Sequence, residues 1–547
     1  MDRGSDSLAY RRLRAPRENG GALVEPPPSQ FALSLAANRT KLAAASSVEI
    51  GGERLERLQL AARKHLAAAA LEYSSTYLDS LPTASDLSRQ LDAGKPVVLT
   101  GHQPQLFHPG VWFKNFVLGQ LASRTDAIAV NLIIDNDTAR TASIRVPTGE
   151  ASAPLVTSVP LDSPSDEVPF EERPIRDRDL FESFAERTIA TLGALAPDPL
   201  VSSLWPAARA AYRRTDRLGL CLSQARHQLE FASGVRLLDV PLGVVCDAAP
   251  FRRFLLGLVE HAARFRNDYN SSLVEYRRLH RIRSRSHPVP ELASEGDWTE
   301  LPFWVWTSES PRRRRLFTRL VPGGCELSDH AAWRLSLPLQ GASAWERASS
   351  QLEEQRLSGL KIRPRALATT LYARLVLGDH FVHGIGGAKY DQLTDSLFAR
   401  FFGVDPPEFV TATATLCLPI AHPRVTMEEV RELAHRIREF DFHPEVWLSE
   451  QQLADAYVNS LVDEKRRWVE SDPPRGARLT RHRAIGAINE TLLPMVEHRR
   501  HELRRECEQA RLAAQRHSLL ASREFSYCLF PAHKLVDGLL ALSARTA

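Results

Sequence analysis

Lysine is scarce in this sequence: eight of the 70 Lys-plus-Arg residues are Lys, so arginine is the default base and each lysine is informative. Two of the eight, Lys114 and Lys389, lie in the two most motif-like stretches of the chain. An excess of either charge is lacking too. Seventy basic side chains stand against 66 acidic ones, which excludes the global basic field that would mark nucleic acid as the main partner and leaves local sites for acidic small molecules. Cysteines are few and scattered (Cys221, Cys246, Cys325, Cys417, Cys507 and Cys528). With no CxxC spacing they argue against a structural zinc site and against a disulfide scaffold, and they fit a reducing compartment. Long apolar runs are missing: no stretch approaches the ~18 uninterrupted apolar residues of a membrane helix. The opening MDRGSDSLAYRRLRAPRENGG carries charge but no apolar h-region. The expectation is a cytoplasmic protein with no membrane partner.

The 547 residues are 43% hydrophobic and 25% charged, an ordinary globular composition with material for a large core. Residues 1–30 are polar, Arg-rich and Pro-rich and read as a disordered lead-in. Residues 31–95 carry Ala and Leu at helical spacing and read as an N-terminal helical segment. From Lys95 the texture changes to strand (VVLT), loop, helix (WFKNFVLGQLAS) and a second apolar run, AIAVNLIID, which opens a parallel α/β sheet. Further strands are expected within 235–247 and at LPFWVW (301–306), and the stretch from Lys361 to Gly403 reads as helix, Gly-rich loop, helix. The Pro- and Asp-rich segment 147–200 reads as an insertion. The α/β core is assigned to 96–425 and a helical domain to 426–547. In that domain Ile485, Ile488, Leu492, Val496, Leu503, Cys507, Ala510 and Ala514 form one apolar stripe. It predicts a long helix packed on another, either of the same chain or of a second chain in a homodimer.

Two stretches gather chemistry. In TGHQPQLFHPGVWFK (100–114) the loop falls at the C-terminal end of a strand, where open α/β sheets place ligands. The helix behind it offers backbone N–H groups to a phosphate or carboxylate near Gly110. His102 and His108 can donate to an anion or carry a proton near neutrality, and Lys114 adds charge. This combination predicts ATP or ADP at the loop. Asp135, Asn136 and Asp137 end the next strand and can hold an amine, a ribose or a metal ion. The same residue types are also ordinary turn formers. In HGIGGAK (383–389), Gly386 and Gly387 can form an anion-binding nest bracketed by His383 and Lys389. It is not a Walker A loop, because no GK[ST] follows. LFHPGV is also similar to the HxGH signature of nucleotidylyltransferases, with Val111 at the last position.

TGHQPQLFHPGVWFKN at 100–115, IDND at 134–137, RPRALATTLYARLVLGDHFVHGIGGAKYD at 363–391 and SREFSYCLFPAHKL at 522–535 stand in an order that resembles the bacillithiol synthase family, the cysteine-adding enzymes of bacillithiol synthesis. That family's QQ pair is represented here by His102 and Gln103. Its EDHD cluster becomes Ile134, Asp135, Asn136 and Asp137, and its GGPGE becomes GGAKY. The resemblance implies a Rossmann-like nucleotide-binding-type core, a helical coiled-coil domain that makes a dimer, and a ligase that condenses an amine with an amino-acid-type carboxylate on a small-molecule substrate. It assigns His102, Gln103, Asp135 and Asp137 to catalysis. Together with the reading of the two stretches, Thr100, Gly101, His108, Gly110, Lys114, Asn136, His383, Gly386, Gly387 and Lys389 are assigned to substrate or nucleotide binding, with no metal site. The competing functions are a nucleotidylyltransferase-like enzyme, which would release pyrophosphate, and a non-catalytic binding or scaffold protein on the same fold.

Overall fold

The computed structural model describes residues 13–164, 166–284, 286–472 and 474–545. The chain is mixed α/β and divides into two compact units. One takes in the described residues of Met1–Val146, Val156–Leu418 and Arg523–Ala547, and the other takes in Pro147–Leu155 and Pro419–Ser522. Among the described residues, no helix is long and apolar enough to cross a membrane.

The first unit is built on a six-stranded sheet. Val97–His102 lies inside it, parallel on one side to Ile128–Ile133 and through that strand to Leu238–Pro241. On its other side it is parallel to His380–His383, which in turn pairs with Phe409–Thr415. Every residue of Ile128–Ile133 and of Phe409–Thr415 is buried. That is the reason these strands read as unbroken apolar or small-residue runs: helices cover both faces of a parallel sheet. The chain enters the sheet at Val97, builds outward one way, then returns to build the other way. The direction of winding therefore reverses between Val97–His102 and His380–His383, and their carboxyl ends flank the crevice such a reversal creates.

The sequence-based expectations met this fold unevenly. The strand after Lys95, the following helix (Pro109–Thr125) and the second strand all form. The stretch after Lys361 is not simply helix, loop, helix. It contains two strands, Leu360–Pro364 and His380–His383, too short to show a period. The expected disordered lead-in is corrected over the residues that can be described: Gly21–Glu25 pairs antiparallel with Phe409–Thr415. Edge pairing uses backbone groups, so the polar, Arg- and Pro-rich composition around the short apolar run GALVE does not forbid it. Residues 1–12 of that lead-in lie outside the described residues. Segment 147–200 begins in two strands, Ser143–Glu150 and Ala153–Pro160, and continues in short helices. A second, antiparallel sheet is inserted between Leu238–Pro241 and His380–His383. Its order is Arg334–Pro338, Gly324–Ser328, Arg314–Val321, Trp298–Thr307, Leu360–Pro364.

The helical unit is narrower than the expected 426–547, because Arg523 onward belongs to the first unit. Its spine is one 43-residue helix, Arg478–Leu520, packed on Met427–Phe442 and Ala456–Glu470. Thr426 opens the first of these with a reciprocal cap to Glu429, and Asp455 caps the second. The apolar stripe is covered from within the chain. Ile488, Leu492, Val496 and Leu503 bury against Phe440, Leu448 and Val458, while Cys507 and Ala514 bury against Val430. The stripe thus packs largely on helices of its own chain, with Ile485 and Ala510 only partly buried. Leu492 is fully buried, so Leu492→Ala is expected to cost about 2–5 kcal/mol, transfer and cavity together. The loss should be independent of protein concentration in chemical denaturation. A loss that grows on dilution would return the stripe to a second chain.

Candidate functional site

The loop after Val97–His102 is held from two sides. Pro109 starts the helix at a position where a missing N–H costs nothing, and His108 caps it, Nδ1 accepting the Gly110 N–H at 3.1 Å. Gly110 is a close-approach glycine: a Cβ there would lie 2.3 Å from the Ala414 carbonyl oxygen and 2.8 Å from Arg523 Nη2. The segment around Tyr527 closes over the loop, the Tyr527 N–H donating to the Phe107 carbonyl at 2.8 Å and its ring meeting Phe107 and Trp112. At the helix N-terminus expected to cradle ATP or ADP, the Gly110 N–H is thus taken by the protein's own cap, and the Arg523 guanidinium stands beside it. His108 serves as a cap, which also removes the support that LFHPGV lent to a nucleotidylyltransferase.

His102 was expected to carry a proton, and the structure corrects this. It is buried, with Arg226 Nη1 donating to its Nε2 at 2.7 Å and its Nδ1 facing the Gln103 carbonyl at 3.2 Å. Both ring nitrogens are taken. Burial, then the charges of Arg226 and Lys114, hold its pKa well below the ordinary histidine value. Arg226 also pairs with Asp239 and approaches Glu230 at 3.7 Å. His227, Glu230 and Asp239 bring three potential metal ligands together. Each is committed elsewhere: His227 to Tyr77 and the Leu237 carbonyl, Glu230 to Trp112 and Asn115, Asp239 to Asn131 and Arg226. Arg226 already supplies the cation.

Lys114 and His383 come from motifs far apart in the chain and meet at the reversal of the sheet. Lys114 is buried, and its Nζ donates to the Gly101 carbonyl at 2.7 Å. Burial, then Arg226, brings its pKa down to about 7. His383 ends the neighbouring strand, its Nε2 2.8 Å from Asp391 Oδ2. Asp391 is gripped in turn by Arg374 Nη1 at 2.6 Å. Burial lowers the His383 pKa against the pull of Asp391. Gly384, next after His383, lies beside the Lys114 stem: a Cβ there would sit in ordinary contact, 3.7 Å from Lys114 Cδ. Gly387 is needed as well: its Cβ would fall 2.7 Å from His383 Nδ1. Thr100 ties the two strands, its hydroxyl donating to the Val382 carbonyl at 2.8 Å. The expected nest does not form. Gly386 and Gly387 lie in the first turn of the helix Ile385–Leu397 and neither has a positive φ, whereas a nest needs alternating backbone hands. Lys389 is exposed on that helix.

The Asp135–Asp137 turn is more than a turn. Asp135 is buried and its Oδ1 accepts the Gly243 N–H at 2.9 Å. Burial and the nearby charge of Glu171 push its pKa up to about 8. Glu171 goes the other way. Although burial opposes it, a two-pronged contact from Arg363 (2.9 and 2.7 Å) and the charge of Lys361 hold it at about 2. Within the pair burial and the Glu171 charge thus favour the protonated form of Asp135, while Arg363 favours the ionised form of Glu171. Asn136 Nδ2 donates to the Pro364 carbonyl at 2.7 Å. Asp137 accepts from Gln103 at 3.1 Å and pairs with Arg313 at 3.3 Å. Beside Gln103, a cleft of about 300 Å³ opens between Leu106, Phe170, Leu218 and Leu222, with Thr141 and Glu524 at its rim. Sequence reasoning missed Glu171, Arg226, Arg363 and Asp391; the only signal available was acid–base complementarity between distant segments.

The raised Asp135 pKa has a stability consequence. The unfolded chain releases this proton near pH ~4 and the native state near about 8. The Asp135 contribution is therefore fully present below the first value and is lost as pH rises through the second. Asp135→Asn, which mimics the protonated form, should gain on wild type between pH 5 and pH 8 in denaturant-unfolding stability. A difference that stays constant across this range would mean the carboxyl is already ionised at pH 5. Searches with this sequence match no protein-family model and no curated protein, so the functional reading rests on the residues themselves.

Proposed function

We propose that the chain is a ligase-like enzyme that forms a carbon–nitrogen bond between an amine and an amino-acid-type carboxylate, on a Rossmann-like core similar to that of the bacillithiol synthase family. The observation that carries the reading is that Lys114 and the His383–Asp391 pair stand on either side of the strand reversal, near enough for the Lys114 charge to act on His383. An amine attacks only as its neutral form, so a ligase needs a group that removes a proton near neutrality. A lysine held at about 7 is such a group. The carboxylate arrives activated, as an acyl phosphate or ester; the amine displaces that leaving group, its proton passes to Lys114, and Asp135, protonated below about 8, protonates the departing oxygen. His102 and Gly110 position the loop and take no chemical part. No step is assigned to ATP or ADP.

Comparing the metabolites of a deletion strain with those of its parent identifies the accumulated amine without a guess of substrate. With that amine, Lys114→Met is expected to lower kcat/KM by about 10²–10⁴-fold and to remove an acidic limb centred near 7 in the wild-type pH profile. Unchanged kcat/KM with the limb intact would take Lys114 out of the chemistry. No accumulated amine and no turnover, with the fold intact, would favour a non-catalytic binding protein.

A further inference from the structure

We propose that Trp304, Arg313 and Arg365 form a recognition site for an anionic group, a carboxylate or a phosphate, on a ligand that approaches the Asp135–Asp137 turn from the inserted antiparallel sheet. The proposal concerns binding alone and stands apart from the condensation reading.

Trp304 lies in Trp298–Thr307 just past an irregularity of the ladder: Leu301 pairs with Leu316 but Trp304 with Arg315. Two guanidinium groups lie over its indole. The central carbon of Arg365 lies 4.1 Å from the ring centroid and that of Arg313 lies 4.9 Å from it. Each cation gains from the ring face, but the two repel one another, and the local carboxylates do not balance them. Asp137 takes Arg313, while Glu300 takes Arg365 at 2.8 Å and Arg315 at 3.4 Å. Arg140 adds a further positive charge beside Arg313. Four guanidinium groups therefore face two carboxylates.

The orphaned edge of Arg365 states what is missing. Its Nη1 faces Glu300, while Nε and Nη2 are buried with no acceptor. Those two N–H groups share one side of the planar guanidinium, the fork that grips a carboxylate or phosphate through two parallel bonds. Leaving two such donors dry inside a protein is costly, and an anionic oxygen pair meets both at once. Trp304 is half-buried and Arg313 is 19% exposed, so the cluster opens to solvent on their side. Through Arg313, which also donates to the Asn136 carbonyl at 3.1 Å, the site adjoins the turn that carries Asp135. An anion held here is a handle on the ligand, remote from Lys114.

The test titrates the full-length chain with inorganic phosphate, ADP and succinate, following tryptophan fluorescence and calorimetric heats, in wild type, Trp304→Phe, Arg313→Gln, Arg365→Gln and Arg365→Lys. Circular dichroism and thermal unfolding confirm that each variant is folded. The expected result is saturable binding of the phosphate or the carboxylate probe with a fluorescence change absent from Trp304→Phe. Affinity should fall at least about tenfold in both Arg365 variants, since lysine keeps the charge and loses the fork. Arg313→Gln, which leaves the Arg365 fork intact, should weaken binding as well. Binding by phosphate and ADP but not succinate assigns a phosphate-bearing ligand, and the reverse assigns a carboxylate. No saturable binding of any probe, or equal affinity in wild type and the folded variants, would overturn the proposal.

Discussion

The buried charge of Arg226 is the interaction on which the rest of this site depends. It sits in Leu218–Ala232 and reaches Asp239 on one strand and His102 at the end of another. One guanidinium thereby pins a helix to two strands and holds the loop-bearing strand end in place. A buried cation without partners would be ruinous, and here it has two carboxylates and a neutral imidazole. The same charge is the second cause, after burial, of the depressed Lys114 pKa. The group that stabilises the framework thus also lowers the pKa of Lys114.

Around that anchor, close approach does the positioning. Gly110 and Gly387 each stand where a side chain would strike a neighbour: Ala414 and Arg523, and His383 respectively. These two glycines, expected to bind an anion, instead let helix and strand ends come together. Two networks divide the carboxyl edge of the sheet. One, around Lys114 and His383, carries an amine that is half-protonated near neutrality. The other, around Asp135, Glu171 and Arg363, carries a carboxylic acid that stays protonated there. Opposite shifts in neighbouring networks are what acid–base chemistry at neutral pH requires.

The sequence by itself determined the parallel core near Val97 and Ile128, the helical spine with its apolar stripe, and the residues worth watching: Lys114, His383, Asp135 and Asp137. These were legible because apolar runs, helical period and the scarcity of lysine are properties of the chain. Only the tertiary structure decided their roles. Whether His102 carries a proton or braces a loop depends on Arg226, 124 positions away. Whether the stripe from Ile485 to Ala514 meets its own chain or another depends on Phe440 and Val458. Whether Gly21–Glu25 is ordered depends on an open sheet edge at Phe409–Thr415. Each of these is settled by a partner distant in sequence, and burial and ion pairing act through space, so no local pattern records them.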